Sequence, residues 1–361
     1  MNLGEVIRNT AGWLRGAQDE CGIVVSCRAR LARNLASMPF AANATDADRA
    51  QVLQRVREAA CKSAQLERAT FLQMESLGQN ERTVLVERHL ISPALAEGSG
   101  PRGVIFARDE SLSVMVNEED HVRLQAVLPG MQMKAAWERV NALDDELGAM
   151  LDYAHHQRWG YLTACPTNVG TGLRVSVLIH LPGLVLSDEM ERVVRGLMQL
   201  SCSVRGLYGE GTNALGNLFQ LSNQVTLGRS EEELVESVSR VAQQLIVSEK
   251  DTHERLMSEV RSQVEDKVWR AYGLLCHARV LSTQEFMSLL SAVRLGYTLR
   301  LIDSLPSGFM NQLMVATQPA HLQAESGREL TAEERDVRRA ALVRQRLAEL
   351  QRNASGTAPG T

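Results

Sequence analysis

Residues 25–34 read Val25-Ser26-Cys27-Arg28-Ala29-Arg30-Leu31-Ala32-Arg33-Asn34. They continue the β-leaning run Ile23-Val24-Val25, and in an extended chain every second side chain shares a face. Arg28 and Arg30 therefore line one side of a strand. Two neighbouring guanidinium groups repel one another, so this side is either a solvated face or a seat for an anion.

Outward from this strand the pattern alternates. Residues 46–68 read as a helix, with Val52, Val56, Ala59, Ala60 and Ala64 at helical spacing. Residues 83–91 read as a strand stopped by Ser92-Pro93, and residues 103–107 and 111–116 read as a hairpin around Arg108-Asp109-Glu110. A long amphipathic helix follows, with Ala136, Val140, Leu143, Leu147, Met150, Leu151 and Ala154 on one face. Residues 175–181 form an apolar strand, Ser187 is an expected N-cap for a helix to about Leu200, and residues 220–227 read as a strand. Ser230-Glu231-Glu232-Glu233 is a capping box that opens a helix to about residue 260. Residues 255–350 read as helical throughout. There is no internal repeat.

The chain has 361 residues, 44% hydrophobic and 23% charged, with a net charge of −4, which describes a packed globular protein. This near-neutral balance argues against a protein whose main work is coating nucleic acid. No apolar run approaches the roughly 18 residues of a membrane span, and residues 1–20 lack the apolar stretch of a signal peptide. Cys21, Cys27, Cys61, Cys165, Cys202 and Cys276 are scattered with no C-x-x-C pair, so reduced thiols in a cytoplasmic setting are expected, and no metal site. Of 39 basic residues only Lys62, Lys134, Lys250 and Lys267 are lysine. Background composition accounts for most of the bias toward arginine. A guanidinium also grips planar oxyanions in a way an ammonium cannot.

Four segments carry charge where a core has no use for it: Ser26 to Arg30, Asn117-Glu118-Glu119-Asp120-His121-Val122-Arg123, Cys165-Pro166-Thr167-Asn168-Val169-Gly170-Thr171-Gly172-Leu173-Arg174, and Arg205-Gly206-Leu207-Tyr208-Gly209-Glu210. Each alone could be a solvated turn. If the fold converges Arg28, Arg30, Arg123, Arg174 and Arg205, the cluster requires an anion, and a nucleotide triphosphate with Mg²⁺ is suitable. There is no G-x-x-x-x-G-K-[ST] loop and no kinase H-R-D or D-F-G set.

Taken together and in this order, the four segments resemble the ATP:guanidino phosphotransferase family, over about residues 23–250. Only about 22 residues precede the first arginine motif, where the free-guanidine branch carries a helical domain. A helical extension instead follows, with Arg335-Asp336-Val337-Arg338-Arg339-Ala340 in it. This arrangement is similar to the bacterial protein arginine kinase branch.

The resemblance implies an α+β fold: an antiparallel sheet flanked by helices, followed by an all-α C-terminal domain. The divisions expected are a lead-in over 1–22, a catalytic domain over 23–254, a helical domain over 255–350 and a tail over 351–361. It implies ATP held by Arg28, Arg30, Arg123, Arg174 and Arg205, with His89 beside the nucleotide. Ser26, Cys27, Ala29, Val175, Ser176, Val177, Leu178, Gly206, Leu207, Tyr208 and Gly209 share motifs with these arginines and are expected to border the nucleotide through backbone. Mg²⁺ is expected to be held mainly through the nucleotide. Glu119 and Glu210 match the carboxylate pair that pins the acceptor, with Glu118 as neighbour and Cys165 as helper. Arg335, Asp336, Arg339 and Ala340 match an allosteric phosphoarginine pocket. The implied activity is phosphorylation of arginine in proteins, with Clp-type proteolysis and a heat-shock repressor downstream, an activator protein as partner, and a homodimer. Two other readings are a kinase for free arginine or a related guanidine, and a catalytically silent phosphoarginine adaptor.

Overall fold

The computed structural model describes residues 3–16, 22–206, 214–302, 305–306 and 308–356, with side chains described as far as residue 352. Ten strands occur among these: β1 (Val24–Arg33), β2 (Thr70–Gln73), β3 (Gly103–Phe106), β4 (Leu112–Val116), β5 (Val122–Pro129), the two-residue β6 (His155–His156) and β7 (Gly160–Tyr161), β8 (Leu173–His180), β9 (Cys202–Gly206) and β10 (Leu218–Asn223). All but β6 and β7 join one antiparallel sheet in the order β2-β3-β4-β5-β1-β8-β10-β9. The arginine-bearing β1 lies near its centre, hydrogen-bonded to β5 on one side and β8 on the other.

The helices are α1 (Leu3–Arg8), α2 (Asp46–Ala60), α3 (Gln79–Glu87), α4 (Pro93–Glu97), α5 (Met133–Gly148), α6 (Pro182–Leu186), α7 (Met190–Gln199), α8 (Glu231–Glu259), α9 (Arg261–His277), α10 (Thr283–Thr298), α11 (Phe309–Ala316), α12 (Pro319–Ser326) and α13 (Ala332–Gly356). The Ser230 capping box forms as read: the Ser230 hydroxyl accepts from Glu233 N and the Glu233 carboxylate accepts from Ser230 N. Every element described after α8 is a helix, from α9 to α13, with short non-helical connections between them.

Alternation divides the sheet into two unlike faces. Cys27, Ala29 and Leu31 of β1, Leu124 and Ala126 of β5, Val175, Val177 and Ile179 of β8, and Phe219 and Leu221 of β10 point one way. They are covered by Ala136, Val140, Leu143 and Leu147 of α5 and by Leu234, Val238, Ala242 and Leu245 of α8. Each fully buried aliphatic side chain contributes roughly 1.5–3 kcal/mol. The opposite face carries the arginines. One end of it is closed by a second core, in which Val127, Leu178 and Leu218 meet Trp13 and Leu14 and the helices α10 and α11 through Phe286, Leu290, Met310 and Leu313.

Several local expectations were wrong. Residues 83–91 are not a strand; most of the segment lies in α3, which is capped by Gly78, whose N–H donates to Glu81 Oε2 at 2.8 Å. Ser187 does not open a helix but follows α6, which begins on Pro182; α7 begins after Glu189. The helix expected to reach Ala154 ends at Gly148, and the one expected to reach residue 68 ends at Ala60.

Candidate active site

Strand register brings four of the motif arginines to one face. Arg30 stands opposite Arg174 of β8 and opposite Gln125 of β5, two residues from Arg123 on the same strand. Arg28 stands opposite Ser176, and Arg205 of β9 stands opposite Gln220 of β10. Because directly paired residues share a face, Arg205 completes the row at the sheet edge, where it is exposed.

Among the described residues this face is short of negative charge. Arg28 Nη2 donates to Gln220 Oε1 at 3.2 Å, and Arg174 Nη2 to Ser222 Oγ at 3.1 Å, both neutral acceptors. The Nε atoms of Arg30 and Arg174 are buried with no acceptor among the described residues. Burial, followed by repulsion from Arg174 and Arg123, lowers Arg28 to about 10. Burial and then Arg28, Arg123 and Arg174 push Arg30 well below the usual arginine range. Arg174 is lowered by burial first and then by Arg205 and Arg123. Among the described residues only Arg123 of the row is matched by carboxylates, with Glu118 Oε2 at 2.7 Å and Glu119 Oε2 at 3.0 Å. Buried guanidiniums with unused donors suit a polyanion.

His89 borders this row. With Ser26, Arg28, Val127, Ser176, Leu178 and Gln220 it lines a narrow space of about 20 Å³. Its backbone sits at φ 61°, a conformation that costs a non-glycine residue of order 1 kcal/mol or more. Its ring lies 5.0 Å from that of Trp13, and its carbonyl accepts from Gln125 Nε2 at 2.5 Å. Burial and then Arg28 lower the imidazole to about 3, so it is neutral at pH 7.

Ser26, Ser176 and Leu178 share the arginine face, whereas Cys27, Ala29, Val175 and Val177 do not. These four point into the core behind the sheet, and burial pushes the Cys27 thiol up to about 11. They reach the site through backbone alone, and in central strands that backbone is hydrogen-bonded to neighbours on both sides.

The acceptor side is built from two tied turns. The Glu118 side chain is only 4% exposed and accepts from Ser92 Oγ at 2.6 Å, while the Glu119 side chain is 45% exposed. Asp120 Oδ1 accepts from Asn34 Nδ2 and from Ala164 N, both at 2.7 Å, which fixes the acidic turn against the cysteine turn. Cys165 Sγ lies 3.0 Å from Thr167 Oγ1, and a thiolate there favours the charged form of Arg174. Gly172 has φ 68°, and a Cβ would stand 2.6 Å from Arg33 Nη1. Arg33 itself pairs with Asp144 at 2.6 Å, donates to Thr171 O at 2.8 Å and stacks 3.6 Å from the Tyr161 ring centroid. Gly172 thus admits a buried arginine that braces the turn.

Sequence reasoning missed Gln125, Gln220, Ser222, Asn34 and Arg33. They are polar residues close to the motifs or on the next strand, and no spacing rule marked them. Leu207, Tyr208, Gly209 and Glu210 lie outside the described residues. Gly206 ends β9.

The helical motif divides. Arg339 is 1% exposed and donates to Thr317 O at 3.0 Å, Leu281 O at 2.6 Å and Asp336 Oδ1 at 2.5 Å. Ala340 is fully buried. Arg335 instead donates to Leu330 O at 2.8 Å and lines a cleft of about 610 Å³ with Asn80, Thr83, Pro319, Gln323 and Glu329. Helical spacing gave both arginines one face, but the packing of α13 buries the second. Among the described residues no group of three or more His, Cys, Asp or Glu is arranged to hold a metal ion.

Comparison with known proteins bears on this geometry. Residues 51–252 match the family model of the ATP:guanido phosphotransferase C-terminal catalytic domain, and residues 261–358 match that of the protein-arginine kinase McsB C-terminal domain. The chain is 48% identical over 345 residues to the protein-arginine kinase of Moorella thermoacetica, covering 95% of this chain and 99% of that one. It is 46% identical over 336 residues to that of Halalkalibacterium halodurans, covering 93% and 94%. The crystal structure of lombricine kinase superposes with a TM-score of 0.57 at 27% identity, over 68% of this chain and 70% of that one. The fold of the sheet and its flanking helices is thus shared with a guanidino kinase, and the chain belongs to the protein-arginine kinase family of ATP:guanido phosphotransferases.

Proposed function

We propose that this protein transfers the γ-phosphoryl group of Mg-ATP to arginine side chains of proteins. The observation that carries this reading is the arginine row: Arg30 and Arg174 each hold a buried Nε with no acceptor among the described residues, beside Arg28 and bounded by the carboxylates of Glu118 and Glu119. The relatives' name as protein-arginine kinases supports the choice of acceptor.

The acceptor guanidinium stays protonated throughout the ordinary pH range and is a poor nucleophile in that form. Glu119, with Glu210 as its partner, pins it bidentately and aligns one nitrogen with the γ-phosphorus. The N–P bond forms as the bond from phosphorus to the leaving oxygen of ADP breaks, and the proton passes to a carboxylate. Arg28, Arg30, Arg123, Arg174 and Arg205 offset the charge on the transferring oxygens. Mg²⁺ arrives with the nucleotide and shares that task. Cys165 assists by placing sulfur beside the acceptor, and Arg335 with Asp336 forms the reachable part of a phosphoarginine pocket.

Downstream, phosphoarginine marks proteins for Clp-type proteolysis and inactivates a stress repressor in the cytoplasm, with an activator protein as a partner. Exposed Trp269, Leu274, Val280 and Val337 in the helical region support a homodimer.

The test is to incubate the chain with Mg-ATP and either casein or free L-arginine. Acid-labile phosphate on casein supports the proposal. Phosphate on free arginine alone shows a small-guanidine kinase, and phosphate on neither shows an adaptor.

A further inference from the structure

Three consecutive residues at the end of α3 are each clamped to a different part of the molecule. The Glu87 carboxylate is buried and accepts from Ala320 N at 2.8 Å, His321 N at 3.1 Å and His321 Nδ1 at 2.6 Å. A carboxylate can only accept here, so the His321 proton sits on Nδ1. Glu87 thereby caps the first turn of α12, more than 230 residues away in sequence. Arg88 forks Glu110 with Nε at 2.8 Å and Nη2 at 2.5 Å, and also donates to Asn9 O. His89 follows at φ 61°, its ring against Trp13 and facing Arg28 across the narrow space of the nucleotide face. A strained backbone of this kind persists only when its surroundings over-determine it. Nothing in the chemistry of transfer uses Glu87 or His321, yet a buried carboxylate accepting three hydrogen bonds holds the residue two places before His89.

We propose that Glu87 and His321 are positioning residues for the nucleotide: they fix the end of α3 so that His89 stays against Arg28, and through them the C-terminal helices set the affinity for ATP. This rests on the reading of the arginine face as the nucleotide site. It goes beyond that reading by making part of the nucleotide site depend on α12. The Arg335 cleft lies on the same seam, lined by Gln79, Asn80 and Thr83 of α3 and by Pro319 and Ala320 of α12, and Asn80 Nδ2 donates to Ala320 O at 3.1 Å. Any ligand that fills the cleft therefore presses on both helices of the link.

The experiment is a titration of MgADP into the full chain by calorimetry, with Trp13 fluorescence as a second signal. The variants are Glu87→Gln, His321→Leu, His321→Asn, His89→Ala and the Glu87→Gln/His89→Ala double. Glu87→Gln and His321→Leu are expected to bind about tenfold more weakly, with KM for ATP raised far more than kcat falls. His321→Asn keeps a donor in the place of Nδ1 and is expected to restore most of the affinity. The double variant is expected to bind no more weakly than His89→Ala alone, because the two residues act in series. The inference is overturned if Glu87→Gln binds MgADP as the wild type does, or if the two single effects multiply in the double. If Glu87→Gln does not fold, the His321→Leu and His321→Asn pair decides the matter by the same criterion. A wild-type protein that fails to bind MgADP at all refutes the nucleotide reading instead.

Discussion

Arg30 and Arg174 face each other across adjacent central strands, and the Nε of each is buried without an acceptor among the described residues. In the free protein this pair is a liability, since each guanidinium is desolvated beside others of the same sign. Replacing Arg30 by Met is expected to raise stability by about 1 kcal/mol, roughly 3 °C in melting temperature, and to abolish nucleotide binding. A lower melting temperature in Arg30→Met, measured by calorimetry, contradicts the assignment of this face to an anion.

The same repulsion gives a pH signature. Arg28 is lowered to about 10 from the ordinary arginine range, so its charged form is disfavoured in the folded state. Between those values the unfolded chain binds the proton more tightly, and stability rises with pH. The penalty is therefore fully present below about pH 10 and is relieved above it. The melting-temperature advantage of Arg28→Gln over the wild type should be constant from pH 7 to 9 and shrink by pH 11. An advantage that grows with pH sinks the account.

Glu118 and Glu119 are adjacent but differ in exposure, 4% against 45% for the side chains. Glu119→Gln is expected to cut kcat by about 10³-fold or more while MgADP affinity stays within threefold. Glu118→Gln releases Arg123 and is expected to act mainly on KM for ATP. Steady-state kinetics of the two variants would show the opposite ordering if the roles were exchanged.

Cys165 is hydrogen-bonded to Thr167 and half-buried, a setting for an assisting group. Cys165→Ala should retain roughly a tenth to a hundredth of wild-type kcat. Complete loss of transfer, with MgADP still bound, makes the sulfur a covalent participant instead.

Arg339 and Arg335 should separate cleanly. Removing the Arg339 guanidinium strands Asp336 and two buried carbonyls, so Arg339→Ala is expected to cost about 3 kcal/mol or more. Arg335→Ala should leave the melting temperature within 2 °C, roughly half a kcal/mol, and remove the response to added phosphoarginine. Activation surviving in Arg335→Ala places the pocket elsewhere.

Much of this was legible in the sequence because chemistry imposes it locally. Arg28 and Arg30 at alternate positions of a β-branched segment, and the Ser230 capping box, each state their structure without tertiary help. Residues 83–91 misled because Val84-Leu85-Val86 carries the β-branched signal. The deciding contact is the Gly78–Glu81 cap, which lies outside that window. The pairing of Arg30 with Arg174 joins positions 144 residues apart, so only sheet register reveals it. Helical spacing put Arg335 and Arg339 together, but it carries no information about which one the packing of α11 and α12 against α13 buries. Gln220 and Ser222 look like ordinary strand residues until the register sets them beside Arg28 and Arg174.

The most direct measurement is phosphorus NMR of casein treated with Mg-ATP and either wild-type protein or Glu119→Gln. A phosphoramidate signal at arginine is expected, lost on mild acid treatment and absent with Glu119→Gln. An acid-stable phosphate ester, or equal signals from both proteins, would contradict it.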